Sequence, residues 1–178
     1  MLIGDGWAFI HIPKCGGTAI RSVLRGREEG GRLPLDSRGA VRSPFHRLPD
    51  TRPPGRVFAL VRHPVAWLAS YWSDQSPERV GAARFLHRFW TPDPDEFATN
   101  LCRQCPGYVT KLYEASIAFP RVRVFRLEDG IEPAVTWATG RPLTVPRVNV
   151  SGGVEFSPRT VKRILKTEAV AINRYGYK

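Results

Sequence analysis

The sequence predicts an α/β fold, a small and mostly parallel sheet flanked by helices. Three observations carry this: short β-branched and aromatic runs at Phe9–Ile12 and Val57–Val61, stretches of helical spacing between and after them, and proline or glycine at each change of pattern. At 178 residues the chain fits one domain, taken as 1–178. Its 42% hydrophobic and 24% charged residues are ordinary for a globular protein.

In chain order, Phe9, Ile10 and Ile12 suit a buried strand, which Pro13 stops. Lys14-Cys15-Gly16-Gly17-Thr18 follows, and Ala19 to Leu24 carries apolar residues at helical spacing until the pattern fades near Gly26. Residues 27–56 form a long Arg-, Gly- and Pro-rich stretch, read as a functional loop. Val57–Val61 reads as a buried parallel strand, and Pro64 opens a helix through Trp67, Leu68 and Tyr71. Ser76-Pro77-Glu78 looks like a cap for another helix through Phe85 and Phe89, ended by Thr91–Pro94.

Two short helices, from Asp95 to about Cys105 and from Tyr108 to about Ile117, are split by Pro106-Gly107. Arg121–Leu127 alternates basic and apolar residues, as a strand with one wet face does, and Ile131–Thr139 reads as a helix ended by Gly140. After a loop over 141–156, Ser157-Pro158 caps a final helix running toward Asn173.

The charge balance narrows the partners. Twenty-seven basic against sixteen acidic residues give a net charge of +11, a field that attracts anions such as a phosphorylated nucleotide, an acidic saccharide, nucleic acid or an anionic membrane. No run of about 18 apolar residues is present, so no spanning helix is expected. With no basic, small-residue leader pattern at the N-terminus, a cytoplasmic location is the expectation. Cys15, Cys102 and Cys105 are too few for a disulfide framework, and Cys102-Arg-Gln-Cys105 reads as two helix-borne cysteines rather than a zinc pair.

Between the first strand and the first helix, Gly16 and Gly17 let the backbone approach a ligand. The amides of Lys14 to Thr18 can then point at one oxyanion beside the positive end of a helix dipole. Lys14 adds a point charge and Thr18 a hydroxyl. This differs from the Walker pattern, whose lysine follows the second glycine. Lys14 and Arg62 both sit just past strand ends, on the side of a parallel sheet where anions bind.

His11-Ile12-Pro13-Lys14-Cys15-Gly16-Gly17-Thr18 resembles the 5′-phosphosulfate loop of PAPS-dependent sulfotransferases, in particular the carbohydrate-type branch. Val61-Arg62-His63-Pro64, with Ser70 eight residues after the arginine, resembles that family's 3′-phosphate motif. The resemblance implies a single P-loop-like domain. It further implies 3′-phosphoadenosine 5′-phosphosulfate (PAPS) as donor and its product, adenosine 3′,5′-bisphosphate (PAP), as a ligand, with no metal required. It places Lys14, Cys15, Gly16, Gly17, Thr18 and Ala19 at the 5′ end of the nucleotide and Arg62 and Ser70 at its 3′-phosphate. Arg147, Asn149 and Ser151 stand where related enzymes carry a late nucleotide-facing loop, and Arg126-Leu-Glu128-Asp129 matches a strand end read as structural.

Three positions depart from the family pattern. His63 replaces an aspartate, Trp67 stands where an arginine is common, and Cys15 where threonine or serine is. Sulfuryl transfer to a hydroxyl or amine of a small-molecule or saccharide acceptor needs a base and a stabilised leaving oxygen. Lys14 is the expected stabiliser and His46 the expected base, with Glu28, Glu29 and Asp74 as alternatives. His11 reads as a core histidine, His63 as orienting the Arg62 turn, and His87 as part of a helix face. Two other readings remain open, a P-loop-type kinase or NTPase and a non-enzymatic basic module for a polyanion. No nucleic-acid motif supports the latter.

Overall fold

The computed structural model describes residues 2–4, 6–25, 55–74, 85–118, 121–145 and 153–177. The expected 27–56 loop falls almost wholly outside them, and 141–156 does so in part. The chain forms two compact units, Met1–Arg62 with Leu112–Asn149, and His63–Lys111 with Val150–Lys178. Each is assembled from two separate stretches of sequence.

Among the described residues, the first unit holds a four-stranded sheet in the order β1 (Leu2–Gly4), β2 (Trp7–Ile10), β3 (Arg56–Val61), β4 (Val122–Arg126). β2, β3 and β4 are parallel, and β1 adds an antiparallel edge. In register, Phe9 stands beside Phe58 and Val61 beside Arg126. β2 and β3 are buried along nearly their whole length, which is why both read as unbroken apolar runs. β2 begins earlier and ends sooner than the apolar pattern suggests. Ile12, although fully buried, already belongs to the turn. The edge strand β1 carries no pattern of its own, since three residues are too few to show a period.

Helix α1 (Gly17–Arg25) follows β2, and α5 (Glu132–Thr139) packs on β2 and β3. α5 ends as Gly140 suggests, with that residue left-handed at φ 71° and its N–H bonded to the Thr136 carbonyl. Arg126, the last residue of β4, forms a bidentate pair with Asp129 at 2.7 and 2.8 Å.

The second unit is helical. It contains α2 (Pro64–Asp74), α3 (Pro94–Gln104), the start of α4 (Tyr108–Ile117), α6 (Pro158–Thr167) and α7 (Ala169–Arg174). Trp67 lies 5.1 Å from Tyr71 in a stacked pair, and Tyr71 stacks in turn on Phe97. Trp67, Tyr71 and Phe89 are therefore core, and no charge stands at position 67. Residues 85–89 form a 3-10 turn rather than the expected helix.

The final helix is interrupted at Glu168, whose backbone has φ −104° and ψ 17°. The reason is sideways commitment. The buried Glu168 carboxylate accepts hydrogen bonds from the amides of Val109 (3.1 Å) and Thr110 (2.8 Å) and from the Thr110 hydroxyl (2.8 Å). It thus satisfies the first turn of α4. Cys102 lies within α3 and Cys105 is that helix's C-cap. Among the described residues, no helix is long and apolar enough to cross a membrane.

Candidate anion-binding site

The segment after β2 makes a tight turn. The Cys15 amide donates to the Ile12 carbonyl at 3.3 Å, with Pro13 and Lys14 at the two central positions. Pro13 suits the first because its φ is fixed. The second needs positive φ, and Lys14 supplies it at 64°. A non-glycine residue there costs about 1–2 kcal/mol. Arg121 is the other described non-glycine residue with positive φ, at 69°.

Gly16 follows at φ 76°, and its carbonyl accepts the Ile20 amide at 3.1 Å, the first bond of α1. A Cβ at Gly16 would lie 2.9 Å from Leu127 Cδ1, 3.1 Å from Ile131 Cδ1 and 3.3 Å from Leu60 Cδ1. Glycine suits the backbone angle here, and a Cβ would also need these side-chain methyls to shift. The first-turn amides of Gly17, Thr18 and Ala19 have no partner inside the helix, and that turn carries no acidic residue. Thr18 is exposed and Lys14 half-buried. The arrangement offers amides, a hydroxyl and an ammonium to an anion.

Arg62 comes to the same edge of the sheet. Its guanidinium donates to the Lys14 carbonyl at 3.4 Å, joining the two motifs within one unit. Tyr113, fully buried, clamps the backbone of Arg62 from both sides. Its hydroxyl donates to the Arg62 carbonyl at 2.7 Å and accepts from the Arg62 amide at 3.2 Å. The Cys15 thiol lies 3.9 Å from the same oxygen. One phenol therefore ties Arg62 to the turn.

Cys15 sits within this turn, its amide donating to the Ile12 carbonyl and its thiol facing the interior. Burial, only partly offset by Tyr113 and Arg62, pushes that thiol up to about 12. Burial likewise raises the Cys102 thiol, which accepts from the Thr167 hydroxyl at 3.4 Å.

His63 takes the N-cap of α2, with Nδ1 accepting the Val65 amide at 3.3 Å and the carbonyl accepting the Trp67 amide at 2.8 Å. That is the job an aspartate does at such a position, so the departure at 63 keeps the cap. Ser70 belongs to the helical unit and is buried at 4% exposure on α2. Asp74, half-buried, ends the same helix. His46, Glu28, Glu29, Arg147, Asn149 and Ser151 lie outside the described residues.

Sequence reasoning missed Tyr113, and it missed the pairing of His11 with Arg21, whose guanidinium reaches Nδ1 at 2.6 Å. No local signal marks Tyr113, which stands 51 residues from Arg62 and 98 from Cys15, whereas His11 and Arg21 are only ten apart but lie on different sides of the turn. Among the described residues, no cluster of three or more His, Cys, Asp or Glu could hold a metal ion. Comparison with protein-family models, curated proteins and solved structures finds no match.

Proposed function

We propose that this protein is a sulfotransferase that moves the sulfuryl group of PAPS to a hydroxyl or amine of a small-molecule or saccharide acceptor. The observation that carries the reading is the meeting of its two motifs, Arg62 bonded to the carbonyl of a strained Lys14 at the mouth of α1. A nucleotide with phosphate at both its 5′ and 3′ positions needs two cationic grips of this kind. The amides of Gly16 to Ala19 and the Thr18 hydroxyl hold the 5′-phosphate, and Arg62, whose guanidinium bonds the Lys14 carbonyl through one nitrogen, holds the 3′-phosphate.

In the reaction the acceptor oxygen or nitrogen attacks sulfur in line and the bond from sulfur to the bridging phosphate oxygen breaks. PAP leaves with that electron pair. Lys14 stabilises the charge growing on the bridging oxygen, and His46 takes the acceptor's proton. Positioning and electrostatics carry the step, as in phosphoryl transfer.

Calorimetry with PAP tests the reading directly. Binding that ATP competes for only weakly is the expected result, and absence of PAP affinity in the wild type overturns it. His46→Ala is expected to abolish transfer while leaving PAP binding nearly intact.

A further inference from the structure

We infer that His11 is a positioning residue for the anion loop, acting through Arg21 and Gly17; this rests on the reading of the loop given above. The chemistry of the pair fixes the imidazole. Arg21 Nη2 lies 2.6 Å from His11 Nδ1, and a guanidinium can only donate. Nδ1 therefore carries the lone pair and the ring proton sits on Nε2. Phe9 stacks on the imidazole, with centroids 6.0 Å apart and planes at 29°. The ring is thus held along one edge and across one face.

Its other edge lies against Gly17. A Cβ at Gly17 would overlap His11 Cδ2 and Nε2. Gly17 is not among the glycines with positive φ, so its backbone suits any residue. Position 17 is glycine to make room for this ring, whereas Gly16 is constrained by its backbone as well. Gly17 and Arg21, four apart on α1, share one helix face. His11 therefore grips two successive turns of that face from the end of β2. This sets the height and rotation of the first turn, and with them the places of the Gly17, Thr18 and Ala19 amides and the Thr18 hydroxyl. Misplacement of about 1 Å in such a site can cost roughly a hundredfold in rate.

The test is PAP affinity by calorimetry beside melting temperature, in variants that separate the two ring nitrogens. His11→Asn puts an acceptor near Nδ1 and keeps the Arg21 bond. His11→Gln puts a nitrogen near Nε2 and loses it. The expected result is Asn within about threefold of wild type, with Gln and Arg21→Met each about tenfold weaker and the double variant no worse than either. Melting temperatures should stay within about 2 °C of wild type. Gly17→Ala should weaken binding in the wild type and add nothing in a His11→Ala background. Retention of affinity by Gln with loss in Asn would make Nε2–H a direct donor and overturn the positioning role. So would losses that only track melting temperature. PAP affinity equal to wild type in every variant removes this inference alone, whereas a wild type without PAP affinity removes the sulfotransferase reading and this role together.

Discussion

The N-termini of α4 and α1 present similar donors and are treated in opposite ways. At α4, two amides and the Thr110 hydroxyl converge on a carboxylate that the chain provides itself, the buried Glu168. At α1, two glycines and Thr18 offer amides and a hydroxyl, but the N-cap is Gly16, which has no side chain, and the first turn holds no acid. α3 and α6 follow α4 in supplying their own acceptor, from Asp93 at 2.8 Å and Ser157 at 3.4 Å. An internal anion makes a helix end part of the core. At α1 the cap is a glycine beside a lysine of positive φ, and the proposed function puts an anion from outside there.

The sharpest way to break this comparison is to disturb Lys14. Lys14→Ala keeps the positive-φ strain and removes the ammonium, and is expected to lower PAPS turnover by about 10²-fold or more in a coupled assay. Lys14→Gly is expected to lose the same activity while raising thermal stability by about 1 kcal/mol, because glycine adopts a φ of 64° without cost. A melting temperature that falls in Lys14→Gly would mean that the turn is not strained and that the lysine is structural.

Glu168→Gln probes the internal anion. It turns an acceptor into a donor facing the α4 amides and is expected to cost about 3 kcal/mol in denaturant unfolding. An unchanged midpoint would show that α4 does not depend on its carboxylate, and the contrast with α1 would lapse.

Tyr113→Phe is milder. It removes the phenol that joins Arg62 to Cys15 and is expected to cost about 1 kcal/mol of stability. PAP affinity should fall several-fold beyond what the stability loss explains, since the grip of Arg62 loosens; equal affinity by calorimetry would confine Tyr113 to the core. The smallest effect concerns the thiols. Burial holds Cys15 as a neutral thiol up to about 12, so it should resist iodoacetamide at pH 8. Cys105, half-exposed at the α3 C-cap, should react first in a mass-spectrometric time course.

Much of the fold was legible because its signals are local. Pro64 and Pro158 stand where helices begin, Gly140 where one ends, and Val57–Val61 is apolar because β3 is buried on both faces. The errors have both distant and local causes. The last helix breaks at Glu168 because its carboxylate serves residues 58 and 59 positions away. β2 stops before Ile12 because the turn that displays Lys14 begins there.

The loop divides in the same way. Its chemistry was in the sequence by itself: two glycines, a lysine and a hydroxyl residue between a strand and a helix, followed by an arginine just past the next strand. Only the tertiary structure decided that Cys15 faces inward, that His11 rather than backbone geometry makes position 17 a glycine, and that Tyr113 joins Arg62 to the turn. The physical reason is that residue type and short-range spacing set which groups a segment can offer. Which of those groups the protein uses itself, and which it leaves for a ligand, depends on contacts made only in the folded chain, between near residues such as His11 and Gly17 as well as distant ones such as Tyr113 and Arg62.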